Sequence, residues 1–544
     1  MSAAKQGVLK AVGIITILTL FSRCAGLLRK LAQSWAMSDS AVATAYDTAN
    51  TVPNVLFEVV AGGALAGAVI PLISGYLAQS MRREASETAS ALITWVLLIG
   101  IPVAILIALA AAPISAVLFG VDADSQIVSL STMLLRVFAI QIPLYGLSVV
   151  FTGILQAHNK FTLPALSPLL SSIVVIGVFA VYGYLHGPSA SPASLSAGAI
   201  AWLAWGTTAG VVIFSLPQLI PAMKLLDLHL RLKFPPGVAW RTVRLAGAGL
   251  GALLAQQMAI VAIMIVANIK GGVGAYTTFN YAWAMFMVPY AVLAVPVATA
   301  TFPRIAAEVS GALVSSSPNA QITPMKSTGL PIAAASLIAR STRLVGAMGI
   351  TAAASLIVLA RPAQIILEMD RSIEGLDVAM VAMGVGVAGY SIMYHGARVL
   401  YALERGRWVI LSNSLAWGWV ILGLILIGIT MENGRVRALI GIGASISVGM
   451  LIGACAVIYA IRRVAGKVAV VGIAQTYAAV LVCEILAAIP AWCAVQWILN
   501  SMGTSFIAAV LSALGGAAIL AIGLGAFLWI TDRSLFLPRS IPMR

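Results

Sequence analysis

A chain of 544 residues that is 61% hydrophobic and only 9% charged is not a soluble globular protein, in which roughly 25% of residues are charged. Its formal charge of +15 would point a soluble protein toward nucleic acid. Here the cations flank apolar spans and set topology instead, so no nucleic-acid partner is expected.

Apolar runs of about 20 residues, enough to cross a bilayer, recur along the whole length. They are too long and too uniform for barrel strands. The expected fold class is therefore an all-α polytopic membrane protein.

The first run, Ala11 to Phe21, has the length of a signal peptide, and Cys24 follows it. Arg23, however, stands directly before that cysteine, where lipoprotein cleavage needs a small residue. The run crosses a bilayer only by continuing through Arg23, Arg29 and Lys30 to about Trp35, so it reads as a retained, cation-bearing helix. From there the pattern predicts fourteen spans: 9–36, 54–79, 88–118, 127–157, 163–185, 195–223, 241–269, 274–304, 330–360, 376–403, 408–431, 437–461, 469–499 and 504–531. Several exceed bilayer length and should tilt or project.

Alternate connecting segments hold 22 of the 32 Lys and Arg residues, among them Arg82, Arg83, Lys160, Lys224, Arg231, Arg405 and Arg462, against five on the other side. That bias puts both termini in the cytoplasm and supports an even span count. The acidic stretch LEMDRSIEGLD, Leu367 to Asp377, then falls outside.

A faint repeat runs through the chain. VPN at Val52 and VPY at Val288 each open a small-residue span, and LQAHNKF from Leu155 and LYALERGRW from Leu400 each form a tight basic turn. The offsets are 236 and 245 residues, and each relates spans six apart, an even step that keeps orientation. Two parallel six-helix lobes, 1–224 and 225–463, are expected, then a helix pair and a short cytoplasmic tail, 464–544.

Arg23, Arg29 and Lys30 lie deepest among the in-span cations. A central Arg or Lys costs at least about 2.5–3.5 kcal/mol on insertion scales, so three need a water-filled cavity, counter-ions or an anionic ligand. Arg23 and Lys30 share a helix face, about 10 Å apart along the axis, with Gly26 leaving room between them and Arg29 about 100° round. Such cations suit a diphosphate, for which arginine offers planar multidentate donors. The structural alternative pairs them with Glu58, Glu484, Asp39 or Asp47, or with backbone carbonyls.

Other signals are bland. GVGVAG, Gly384 to Gly389, matches a nucleotide-loop pattern but lies inside a span with no preceding strand, which favours helix packing. Gly63 and Gly67 form GxxxG, again a packing signal. The four cysteines and four histidines show no metal-ligand spacing, and no Walker lysine or nucleophile elbow appears. No cofactor, metal or enzyme chemistry is expected.

FSRxxGxxR at Phe21 to Arg29, Pro53-Asn54 with Gly62-Gly63, and NKFTLPALSP at Asn159 to Pro168 form a recognisable set, with VPYAVLAVPVATATFP at Val288 to Pro303 and ARVLYALERGRW at Ala397 to Trp408. The chain resembles the MurJ/MviN family, the lipid II flippases of the multidrug/oligosaccharidyl-lipid/polysaccharide exporter (MOP) superfamily. The resemblance covers most of the chain and weakens in the last third.

It implies a multi-pass protein of the bacterial cytoplasmic membrane that moves lipid II, an undecaprenyl-diphosphate glycolipid, to the outer leaflet. It also implies a central cationic cavity and a groove beside the last two helices for the lipid tail. Arg23 and Arg29 match the family's two first-helix cavity arginines. Two further family arginines fall at Phe57 and near Ala284, a family aspartate falls near Thr44 with Asp47 one turn on, and Lys30 stands where an acid often follows. The family's sodium carboxylates have no match in spans seven and eleven.

The candidate substrate site is Arg23, Arg29, Lys30, Gly26, Asp47, Asn54 and Glu58. Partners implied are lipid II or a related prenyl-diphosphate glycolipid, membrane lipids and cell-wall synthesis proteins. Alternatives are a flippase for another prenyl-linked glycan and a non-transporting scaffold of the cell-wall machinery. A drug antiporter would prefer acidic cavity residues.

Overall fold

A computed structural model describes residues 3–59, 66–234, 238–315, 330–369 and 371–531. Gly62-Gly63, Lys326 and the tail cations Arg533, Arg539 and Arg544 lie outside them. The described residues form helices and turns, with no strand among them. Twelve helical stretches among them are long and apolar enough to cross a membrane.

Chain contacts divide the molecule into two compact units, Met1–Thr277 and Thr278–Arg544. The first unit holds α1 (Ala3–Met37), α2 (Ala41–Phe57), α3 (Ala66–Ala78), α4 (Arg82–Leu109), α5 (Ala111–Phe119), α6 (Ser125–Phe138), α7 (Gln141–Ala157), α8 (Thr162–Leu185), α9 (Ala197–Ser215), α10 (Leu219–Leu225) and α11 (Val238–Val266). Helix α12 (Ala275–Pro289) carries the boundary. The second unit continues with α13 (Val295–Ser315), α14 (Ile332–Val358), α15 (Ala360–Glu368), α16 (Leu376–Ala402), α17 (Gly406–Thr430), α18 (Arg435–Ala465), α19 (Ile473–Met502) and α20 (Phe506–Thr531).

Local chemistry sets the ends. Ser40 and Ser196 accept from Ala43 and Ala199 backbone N–H groups at 3.3 and 3.2 Å and so start α2 and α9. Gly466, at φ +86°, closes α18. A π-turn, Tyr290–Ala294, follows Pro289, where the missing proline N–H breaks the α-helical ladder.

The two basic turns found in the sequence share one geometry. Asn159 and Glu404, 245 positions apart, adopt φ +58° and +56°. In each the next residue donates back across the turn: Lys160 N to Leu155 O and Arg405 N to Leu400 O, both 2.8 Å. These are the same left-handed helix stop built twice. A second pair was not read from the sequence. Short helices α5 and α15 follow α4 and α14, each with proline at its third residue, Pro113 and Pro362, 249 positions apart.

In the first unit Tyr46 anchors a core by meeting Phe138 and Phe179 edge-on, each at 5.6 Å. A further lock uses chain that no helix claims. Residues 226–234 run non-helically along α4. Ser86 donates to the Asp227 carbonyl. Ser90 and Thr94 accept from His229 N at 3.1 Å and Arg231 N at 2.8 Å. The periods agree: four helical residues advance about 6 Å and two extended residues about 6.6 Å, so every fourth α4 side chain meets every second strap residue. Trp95 Nε1 donates to Leu232 O at 3.0 Å, and Arg231 pairs with Glu87 at 3.1 Å.

In the second unit α16 packs on α14 and α18 through small residues. The GVGVAG glycines sit in these seams: Gly384 faces Ile357 of α14, while Gly386 and Gly389 face Ser447 and Met450 of α18. Close helix approach accounts for this motif.

Candidate functional site

The first unit encloses a cavity of about 500 Å³ between α1, α2, α7, α8 and α9. Helix α1 contributes Gly26, Arg29, Lys30 and Gln33, a spacing that keeps them on one face. Helix α2 contributes Asp47, Asn50 and Asn54 in the same way, then Phe57, with Glu58 at its C-cap. A side chain at Gly26 would meet nothing within 4 Å, so this glycine opens the α1 face to the cavity.

Six of the seven residues expected from the sequence line this space: Gly26, Arg29, Lys30, Asp47, Asn54 and Glu58. Arg23 does not line it and is exposed. The face that looks inward is centred on Gly26 and Gln33, with Arg29 and Lys30 on its two flanks, rather than on the Arg23–Lys30 line.

The cations are not equivalent. Lys30 Nζ donates to Gln33 Oε1 at 2.9 Å, Gln33 Nε2 donates to Asp47 Oδ1 at 2.9 Å, and Lys30 lies 3.8 Å from the same oxygen. Asp47 is 5% exposed, and its Oδ2 has no hydrogen-bond partner among the described residues. Lys30 thus has an internal counter-ion. Arg29 has no hydrogen bond or ion pair to a described residue. It is half-buried, and its charge faces an open cavity.

The same cavity has an aromatic wall. Phe57 lies against Tyr145 with ring centroids 4.4 Å apart, and Phe214 meets both, at 6.5 and 6.1 Å. Tyr145 donates its hydroxyl to Asn54 Oδ1 at 3.1 Å, which turns the Asn54 amide N–H groups elsewhere. Phe57, the position on which the family resemblance places a further cavity arginine, is therefore a wall residue. Gln33, Asn50, Tyr145 and Phe214 were missed from the sequence, because neutral and aromatic residues in an apolar span read as packing. Position 57 was the available signal.

Gln33 is the hinge of the polar network. Gln33→Leu removes an acceptor from Lys30 and a donor from Asp47, and should destabilise the protein by about 1–3 kcal/mol. A lower thermal midpoint in detergent would show it; an unchanged midpoint would mean that the network adds nothing to stability.

The second unit holds another cavity of about 500 Å³, beside the π-turn and α14, α15 and α20. Its walls are apolar, Val292, Met348, Leu356, Ala517 and Leu524 among them, relieved by Thr351 and Ser355.

Solved structures share this fold. One described as lipid II flippase MurJ, inward closed conformation, matches with a TM-score of 0.74 at 18% identity, over 95% of this chain and 98% of that one. An inward-facing multidrug resistance MATE family transporter of the MOP superfamily matches with a TM-score of 0.62 at 15% identity, over 82% and 98% of the two chains. At these identities the two matches show the fold alone, that of a polytopic helical membrane protein. A family model described as "Lipid II flippase MurJ" matches residues 34–512, and the chain belongs to that family. The lipid II flippase MurJ of Burkholderia cenocepacia is 28% identical over 306 residues, 54% of this chain and 56% of that protein. The chain spans about half the length of the curated relatives it matches.

Proposed function

We propose that this protein carries lipid II, or a closely related prenyl-diphosphate glycolipid, from the inner to the outer leaflet of the bacterial cytoplasmic membrane. The observation that carries the reading is Arg29, a cation with no counter-ion among the described residues, facing a cavity in an apolar helix bundle. Its planar donors suit a diphosphate. Lys30, released from Asp47 as the anion arrives, adds a second charge, and Arg23 attracts the headgroup from outside the cavity. Asn50, Asn54 and Glu58 offer hydrogen-bonding groups to the sugars. The apolar cavity of the second unit takes part of the prenyl tail.

Adding α1 and the α2–α3 pair to the twelve apolar stretches makes fourteen spans. They are read as lobes 1–224 and 225–463 with the pair 464–544, both termini in the cytoplasm. The lobes rock in alternating access: the headgroup enters from the inside, closure below and opening above release it, and the tail stays in lipid. A cation crossing the membrane field experiences about 2.3 kcal/mol per charge per 100 mV, which lets the potential reset the empty carrier.

One observation favours a second reading. The Phe57–Tyr145–Phe214 wall, standing where the family has an arginine, suits a headgroup with more apolar sugar faces, so another prenyl-linked glycan is the alternative cargo. Sidedness separates the two. Cells depleted of the protein are treated with an outside-acting reagent that cleaves only outer-leaflet lipid II. Lipid II should become protected on depletion and cleavable again on re-expression. Unchanged sidedness would remove lipid II as the cargo and leave another glycan or a scaffold role.

A further inference from the structure

One buried acid takes no part in the headgroup site. Glu484, midway along α19, is 2% exposed. Its Oε1 lies 2.5 Å from Thr351 Oγ1 on α14, while its Oε2 is buried with no hydrogen-bond partner among the described residues. Thr351 Oγ1 also lies 3.3 Å from the Ala347 carbonyl, and the same threonine lines the apolar cavity of the second unit. One hydroxyl therefore separates an acid from a groove.

Among the described residues, the helices packed against α19 supply no counter-charge to Glu484. Helices α14 and α20 pack against α19. No residue of α20 is charged, and Glu484 is the one charged residue of α19. On α14 the charges are Arg340 and Arg343, two to three turns away, and Arg343 Nε donates to Thr476 Oγ1 at 2.8 Å. The nearest tyrosine on α19, Tyr477, donates its hydroxyl to the Thr342 carbonyl. The other titratable side chain beside Glu484 is its chain neighbour Cys483, a free thiol.

A carboxylate here would leave one oxygen bare in a low-dielectric site with a single neutral donor. The acid form costs less, because Oε2, still without a partner among the described residues, is then a neutral carbonyl oxygen rather than half of a charge. Its O–H donates to Thr351 Oγ1, and the threonine hydroxyl donates to the Ala347 carbonyl. Water in the groove, reaching Thr351, would solvate the charged form instead.

We propose that Glu484 is a proton-binding site linked to occupancy of this groove: an apolar chain that enters and expels water makes the carboxylate take a proton from the bulk, and emptying the groove returns it. Linkage makes the effect reciprocal, so protonation tightens binding of the chain by the same factor. The inference rests on the reading of the groove as a tail site and is independent of the headgroup chemistry.

Geranylgeraniol, a prenyl alcohol that does not titrate, is the probe, added to the purified full-length protein in weakly buffered detergent with a pH indicator. Wild type should take up about one proton per alcohol bound, and its affinity should fall by up to about tenfold per pH unit as pH rises. Glu484→Gln should bind with neither effect. Ala517→Trp, which fills the groove without touching the acid, should lose binding and uptake together.

Uptake that persists in Glu484→Gln overturns the proposal, as does pH-independent binding by wild type or no binding at all. If the glutamine variant does not fold, the infrared band of the protonated carboxyl in wild type decides: it should grow on adding the alcohol, and a constant band rejects the linkage. Because the probe has no headgroup, a failed lipid II sidedness experiment leaves this result standing.

Discussion

Replacing Arg29 with alanine is expected to abolish glycolipid translocation while the protein inserts and folds normally. Arg29 faces the first-unit cavity and makes no hydrogen bond or ion pair to a described residue, so its loss should not strand a protein partner. A bound diphosphate would lose its main multidentate donor. Truncating one side of a buried charge pair costs about 2–5 kcal/mol, or roughly 30-fold to several thousand-fold in affinity.

Arg29→Lys should rescue only in part, because a point charge cannot reproduce the planar fork. Arg23→Ala should cost less, since Arg23 is exposed and outside the lining. Outer-leaflet accessibility of lipid II in cells carrying each variant provides the comparison. Full activity of Arg29→Ala, or a larger loss with Arg23→Ala, would displace the anion site from this cavity.

Enlarging Gly389 is the change expected to harm the fold most. An added Cβ there would stand 2.5 Å from the Met450 carbonyl carbon and oxygen and 2.8 Å from Leu451 N. These are backbone atoms of a helix and cannot rotate aside as a side chain would. Gly389→Ala should cost about 1–3 kcal/mol by overpacking, and Gly389→Leu more. The leucine variant should be lost to aggregation when extracted in detergent and passed over a sizing column. Gly418, with nothing within 4 Å of an added Cβ, should accept alanine with little change. A leucine at 389 that elutes like wild type would show that α16 and α18 separate freely.

The spans were legible because lipid imposes one simple demand, length and apolarity, on every crossing helix. Predicted boundaries such as 163–185 and 376–403 fall within a residue of α8 and α16. What hydropathy did not show is how a span breaks. The turn at Ala139 and Ile140 between α6 and α7 carries neither glycine nor proline, and α5 is at least as apolar as α4 before it, although α15, with Arg361 and Glu368, is more polar than α14. Their shared proline was overlooked because Pro113 lies inside the single predicted span 88–118 and Pro362 just past the predicted span 330–360.

In the site, Gly26, Arg29 and Lys30 were legible because a cation in an apolar helix demands a reason. Arg23 made the same demand, but one residue turns a helix by about 100°, and the pattern of cations alone does not say which side looks inward. The division of labour between Lys30 and Arg29 depends on Gln33, a neutral residue that carries its meaning only when Asp47 is seen beside it.

The strap of residues 226–234 has a mechanical meaning. A linker of nine residues hanging loose would stretch before passing any pull from α11 to the helices preceding it. Bonded at Ser86, Ser90, Thr94 and Trp95, this one has no slack to give. A displacement at its far end loads α4 along its length at several points at once, as a splint loads a limb.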